Sequence, residues 1–281
     1  LHNNSHGILL VNTTNSKILN NTANLNGYEG ISLHYYSSNN SLTNNTANSN
    51  SWNGIYLGSS SNNFLTNNTA NLNKYYGIYL YSSSNNFLTN NTANSNRYGI
   101  YLYSSSNNFL TNNTLTNNRY NFYIYGYEIS HFYQDIDKSN LVDNKPIYYW
   151  TNEKNAPNGC KNAVISDLNN TGFVALVSCD NITVKNLNLH NNSHGILLVN
   201  TTNSKILNNT ANLNGYEGIS LHYYSSNNSL TNNTANSNSW NGIYLGSSSN
   251  NFLTNNTANL NKYYGIYLYS SSNNFLTNNT A

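Results

Sequence analysis

Short apolar triplets alternate with polar runs along the whole chain, and the alternation returns every 22 to 24 residues. After Gly7, Gly30, Gly54, Gly77 and Gly99 come Ile8-Leu9-Leu10, Ile31-Ser32-Leu33, Ile55-Tyr56-Leu57, Ile78-Tyr79-Leu80 and Ile100-Tyr101-Leu102. The outer two positions of each triplet are always aliphatic, while the middle one varies from Leu to Ser to Tyr. Such period-two alternation predicts a strand with one face buried. Ser/Asn clusters then supply turn chemistry. A second apolar anchor follows at Ile18, Leu42, Leu65, Leu88 and Leu110, and a small or aliphatic residue at Ala23, Ala47, Ala70, Ala93 and Leu115. The corners are too short for helices, and no 3.6-residue pattern appears.

One such period cannot bury its own apolar face, so the periods must stack. We therefore expect an all-β chain, a right-handed parallel β-helix with 22–25 residues per rung and roughly 12 rungs. Three Asn columns recur in it: Asn15 to Asn107; Asn20, Asn44, Asn67, Asn90 and Asn112; and Asn26, Asn50, Asn73, Asn96 and Asn118. Identical Asn residues one rung apart form ladders in which each amide bonds the next. All three columns are expected inside, where a ladder lets a polar residue occupy a narrow interior without unpaired groups. In the best-preserved copy, Ile100, Leu102 and Leu110 then point inward, Asn107 and Asn112 join ladders, and Tyr101 and Phe109 look out.

A longer period lies over the short one. Residues 189–281 repeat residues 1–93 without a change, at an offset of 188. The organisation expected is one continuous solenoid over 1–281, built from a 188-residue unit (1–188) and a partial second copy (189–281). Residues 121–171 break the pattern and read as irregular rungs with lateral loops. Eight rungs at about 4.8 Å would give each unit a rise of roughly 38 Å. The chain begins and ends inside a repeat, so we expect it to continue in both directions.

Composition narrows the function classes. Only 7% of residues are charged and the net charge is +2, which gives no basic field for nucleic acid. No apolar run approaches a membrane span. Asn/Ser-rich tracts can be disordered, but fixed Ile and Leu positions in every period argue against that here.

The motif Gly99-Ile-Tyr-Leu-Tyr-Ser-Ser-Ser-Asn-Asn-Phe-Leu-Thr-Asn-Asn-Thr114 resembles the repeats of NosD-like parallel β-helix proteins. So do Asp135 to Trp150 and Asn181 to Leu187. The resemblance covers nearly the whole chain. It implies the solenoid fold and a surface or periplasmic setting, archaeal surface proteins among them. The family spans a nitrous-oxide reductase maturation protein, carbohydrate-active enzymes and surface proteins.

Candidate chemistry is sparse. Copper would need Met, Cys or His clusters. There is no Met, and His2, His6, His34 and His131 do not share a rung position. No metal or other cofactor is expected. Cys160 and Cys179 lie close to one rung apart, as a disulfide suited to a secreted protein or as two buried thiols. Asp135, Asp137 and Asp143 are the one acidic cluster, and they read as loop residues pairing with Lys138 or Lys145. We expect no enzyme. Asn-x-Thr sequons are numerous, but acceptors such as Asn67 fall in the expected inward ladder. That leaves Asn12 and its copy Asn200 as the exposed glycosylation candidates. Tyr56, Tyr79, Tyr101 and Tyr123 form one outward column and Phe64, Phe87 and Phe109 another. These serve either stacking between rungs or an aromatic contact face for glycans. The leading expectation is a structural extracellular protein: a segment of a cell-surface fibre, stalk or sheath, with copies of itself as partners. A carbohydrate-binding or adhesin module is second, and a polysaccharide-degrading enzyme third.

Overall fold

In a computed structural model, which describes residues 1–167 and 170–281, the chain divides into two compact units, Leu1–Asn144 and Lys145–Ala281. The boundary falls in the irregular stretch 121–171, of which Leu168 and Asn169 lie outside the described residues. Strands stacked on successive rungs pair in parallel, and each unit contributes six rungs to a solenoid of about 12 turns. In the first unit one sheet stacks Ile8–Val11, Ile31–His34, Ile55–Gly58, Tyr76–Tyr81, Tyr98–Tyr103 and Tyr120–Tyr125. A second sheet stacks the three-residue strands from Lys17–Leu19 to Phe109–Thr111, followed by Asp135–Ile136. Bridges through Thr22, Thr46, Thr69, Thr92 and Thr114 form a third side. The second unit repeats this plan from Lys145–Thr151 to Tyr264–Tyr269 and from Val164–Ile165 to Phe275–Thr277.

Register follows the sequence repeat. Ile31, Ile55, Ile78 and Ile100 are mutual partners, as are Leu42, Leu65, Leu88 and Leu110. All eight are essentially inaccessible. Identical residues therefore meet identical residues, and the apolar interior is only a few side chains wide at each level.

The corners complete it. Residues 62–73 show the rule: Asn62, Asn67 and Leu72 have left-handed backbones (φ 59°, 56° and 59°), and each is followed by a buried Asn. Inward positions thus run Asn63, Leu65, Asn68, Ala70, Asn73, one left-handed residue after each aliphatic–polar pair. Each buried Asn serves the corner before it. The Asn45 N–H and Nδ2 both donate to Asn68 Oδ1 at 3.0 Å, while Nδ2 also reaches the Ile18 carbonyl at 2.8 Å. The same device runs through Asn40, Asn63, Asn86 and Asn108 and through Asn26, Asn50, Asn73, Asn96 and Asn118. Backbone groups turned inward at a bend must find partners, and here the next rung supplies them.

Two of the expected ladders are therefore displaced by one residue. Asn20, Asn44, Asn67, Asn90 and Asn112 are exposed, with φ near +56°, and the ladder beside them is Asn21, Asn45, Asn68, Asn91 and Asn113. The column from Asn15 to Asn107 is likewise left-handed and yields to its neighbours. Strict alternation from Leu65 places Asn67 inside. A left-handed residue takes one position without crossing the wall, so the inward role passes to Asn68. Asn accepts that conformation more readily than other non-glycine residues.

The rung-start glycine has a packing cause. A Cβ on Gly54 would stand 2.7 Å from the Ala70 methyl, Asn73 Nδ2 and the Gly77 carbonyl. The third Asn ladder occupies the space a side chain would need.

Cys160 and Cys179 are bonded to each other, with Cα atoms 4.9 Å apart. Closing a loop of this length constrains the unfolded chain by about 3 kcal/mol.

Replacing Asn68 by Ala removes the acceptor for Asn45 and the donor to the Leu42 carbonyl. It should destabilise the protein by about 3 kcal/mol in urea unfolding. Asn67→Gly, one residue away, should change stability by less than about 0.5 kcal/mol. Equal losses would place the ladder wrongly.

Candidate functional site

The residue before each rung start, glycine in five rungs and Asn121 in the sixth, forms a lateral column that changes character along the first unit: His6, Glu29, Asn53, Tyr76, Tyr98, Tyr120. At its polar end three side chains meet. His6 Nε2 lies 3.0 Å from Glu29 Oε2, and Asn53 Nδ2 donates to Glu29 Oε1 at 3.1 Å. Glu29 is 6% exposed. Burial raises its carboxyl above the ordinary value, opposed by His6, its own backbone and Asn53. The Asn53 Oδ1 atom is buried without a hydrogen bond.

A groove of about 430 Å³ opens beside this cluster, lined by Glu29, His34, Trp52, Asn53, Tyr56, Tyr75, Tyr76 and Tyr79. Its floor is the outward face of the first sheet, where Ser32, Tyr56, Tyr79, Tyr101 and Tyr123 are register partners. Small residues create the opening. His34 bonds Ser32 at 2.9 Å, and a Cβ on Gly58 would stand 2.5 Å from the Tyr56 hydroxyl. Tyr56 thus lies back over the space that Gly58 leaves, with its ring 5.0 Å from His34 and 5.3 Å from Tyr79. The outer wall is Trp52, edge-on to Tyr28 at 5.3 Å and to Tyr75 at 6.3 Å. Burial, reinforced by the Glu29 charge, pushes the Tyr56 phenol up to about 12, so it remains a donor at neutral pH. Burial, with the His6 charge adding to it, holds His34 below its ordinary value and so neutral.

The 188-residue repeat builds the cluster again in the second unit. His194 lies 3.2 Å from Glu217, and Asn241 donates to Glu217 at 3.1 Å. Trp240 stacks on Tyr216 at 4.7 Å, and Tyr244 lies over Gly246. His222 bonds Ser220 at 2.8 Å, with its ring 5.0 Å from Tyr244 and 6.1 Å from His194. Burial, then the His194 charge, pushes it down to about 3.

The residues singled out from sequence are placed as follows. Tyr56 and Tyr79 line the groove, but Tyr101 and Tyr123 are not a contact face: they are 7% and 2% exposed. The extra Tyr before each glycine covers them, with Tyr76 5.4 Å from Tyr101 and Tyr98 5.4 Å from Tyr123. Phe64 and Phe87 stack at 4.9 Å on the second sheet and stay exposed, and Phe109 is half-buried. Asn12 is exposed, whereas Asn200, its sequence copy, donates its amide to Ser178 at 2.9 Å. Asp137 accepts from Thr111, Ser139 and Asn140, and Asp143 from Asn117 and Asn121. Those two acids therefore pin the irregular rung. The Glu29 cluster was not anticipated. Its signal was an acidic residue, in a chain with nine acids, in a column that otherwise holds His, Asn and Tyr.

Together these features define a parallel β-helix repeat protein with a lateral aromatic groove. Residues 1–136 match the family described as right handed beta helix region, and residues 134–281 match the periplasmic copper-binding protein (NosD) family. The chain belongs to the NosD family. A search of curated protein sequences finds no relative. Among solved structures, it is similar to the A-module of an Azotobacter vinelandii mannuronan C-5 epimerase. Identity is 16% and TM-score 0.35, covering 92% of this chain and 64% of that module, so the chain spans under two thirds of its length. It is also similar to the periplasmic alginate epimerase AlgG (13% identity, TM-score 0.36, 94% and 74% covered). A third is the catalytic domain of a GH87 α-1,3-glucanase (14%, 0.33, 99% and 64%). The exclusion of an enzyme is corrected by these comparisons, since the similar structures carry polysaccharide-modifying activities. The residues do not fit the copper of the family's description. There is no Met, both Cys are bonded, and among the described residues no three His, Cys, Asp or Glu gather to hold a metal. Among the described residues, no helix is long and apolar enough to cross a membrane.

A depressed imidazole contributes stability above its ordinary pKa of 6.5, lost as pH falls toward the folded value. Acidification to pH 4 should therefore cost on the order of 3 kcal/mol through His222. His222→Gln should flatten that part of the profile in thermal unfolding between pH 7 and pH 4. An unchanged slope would remove His222 as the cause.

Proposed function

We propose that the chain is a surface or periplasmic solenoid that binds polysaccharide through its lateral groove, once per 188-residue period. The observation that carries this reading is the groove itself: a ring-lined trough with Glu29, Asn53 and His34 in its lining, its residues repeated without change in the second unit. Sugar rings offer an apolar face to aromatic side chains and hydroxyls to polar groups, which is the mixture such a site presents. Lys74 lies 5.7 Å from the Tyr75 ring at the rim and adds a cation to the wall. The periplasmic family and the disulfide agree with a location outside the cytoplasm. Glu29 and the two imidazoles near it could move protons on a bound sugar, so modification of the bound polymer belongs to the same reading.

A second reading, a structural fibre, stalk or sheath formed with copies of the same chain, is favoured by the unbroken 188-residue copy. A solenoid lengthens by adding rungs, and an array multiplies identical grooves along one face. Filaments of native material with an axial repeat of roughly 38 Å would support it, and discrete particles would count against it.

Binding is tested by titrating the intact chain with alginate and with neutral glucans, following heat release and product size. Trp52→Ala combined with Trp240→Ala should weaken binding at least tenfold and leave the unfolding temperature within a few degrees. Binding that survives the double substitution, or none by the parent chain, would overturn the reading.

A further inference from the structure

The motif Asn-Asn-Thr recurs at one corner of successive rungs, and its three residues have separate fates. The second Asn is the buried ladder residue. The Thr lies on the bridge line from Thr22 through Thr114. The first Asn (Asn20, Asn44, Asn67, Asn90, Asn112) is exposed, with φ between 55° and 57°. Asn208, Asn232, Asn255 and Asn278 take the same place in the second unit, with φ between 51° and 54°.

We infer that this outward Asn column is an N-glycosylation track: one face of the solenoid carries covalent glycans on the first Asn of the repeated motif. Asn-x-Thr is the acceptor pattern for that modification. The fold accounts for both Asn residues but only for part of the Thr. A β-branched residue suits the bridge, and Val would serve as well. The hydroxyls of Thr46, Thr69 and Thr92 make no hydrogen bond to the described residues. The acceptor pattern needs that hydroxyl, and the fold does not. The neighbouring corner supplies a control. Asn62, Asn85 and Asn107 are left-handed and exposed in the same way, yet two residues later stand Phe64, Phe87 and Phe109. A left-handed Asn is thus compatible with the fold without Thr behind it.

In the reaction the Asn Nδ2 attacks the anomeric carbon of a lipid-linked sugar phosphate. The carbon–oxygen bond to phosphate breaks, the lipid phosphate leaves with the electron pair, and Nδ2 loses one proton. The co-substrate class is therefore a lipid-linked oligosaccharide, supplied outside the cytoplasm, where the Cys160–Cys179 bond also forms. Rungs stand about 4.8 Å apart, too close for a branched glycan on each, so occupancy should skip rungs. Asn67 and Asn90 are already joined, Nδ2 of the latter donating at 2.7 Å, and only one of such a pair should be modified.

The test is glycopeptide mass spectrometry on protein from its native source, with fragmentation that locates the added mass. Sugar on first-position residues such as Asn67, none on Asn68 and partial occupancy along the column are expected. Unmodified Asn at every first position would overturn the inference. A second arm expresses the chain in a host that performs N-glycosylation. Thr69→Val should abolish modification of Asn67 with the unfolding temperature nearly unchanged, and Thr69→Ser should retain it. Persistence of the glycan in Thr69→Val would also overturn the inference.

Discussion

The amide of an inward Asn, bonded to the corner of the rung before it, is the constraint on which the rest depends. A chain that turns several sharp corners in each rung brings N–H groups to the inside with no strand to receive them. An apolar interior would leave them unpaired, at about 1–3 kcal/mol each. The Asn side chain is short enough to stay within its own level and carries both a donor and an acceptor. Asn68 Oδ1 thus takes two hydrogens from Asn45 while its Nδ2 reaches the Leu42 carbonyl. Once the corners are closed this way, one or two aliphatic residues per side suffice, which is why a chain so rich in Asn and Ser has an interior at all.

The groove is a local relaxation of the same regularity. Where the lateral columns hold Tyr at each level, as at Tyr76, Tyr98 and Tyr101, rings pack on rings and the face is closed. Where they change to Glu29, Asn53, Ser32 and Gly58, the packing is interrupted and a trough appears. Binding surface thus arises by subtracting rings from a continuous stack, with no insertion and no change in the coil. The buried carboxyl and its two partners lie where the ring stack stops.

Sequence pattern alone was enough to recover the coil, its period and the inward aliphatics, because these depend on alternation, which a linear reading preserves. It mislaid the ladder by one residue because the left-handed step is invisible to a count of alternating positions: Asn67 and Asn68 are the same letter, and only backbone conformation separates them. It also missed the pairing of His6, Glu29 and Asn53, which stand 23 and 24 residues apart and meet only when rungs are superposed. Aligning the copies on the glycine places all three in one column. Reading that column as a surface, and not as three unrelated positions, would have exposed the cluster. The covering of Tyr101 by Tyr76 needed side-chain geometry.

The ladder has a direction. The Asn45 N–H is received by Asn68, and that of Asn68 by Asn91, always the rung that follows in the chain. At the inward corners a rung is therefore closed by its successor, whereas the outward Asn24, Asn48 and Asn71 receive N–H groups in the opposite sense, from the rung that follows them. For a chain threaded through a membrane amino end first, each newly delivered turn would satisfy the inward corners of the turn already outside and present its own inward corners unsatisfied. Export and folding then share one polarity, and the leading structure is sealed step by step behind the point of emergence.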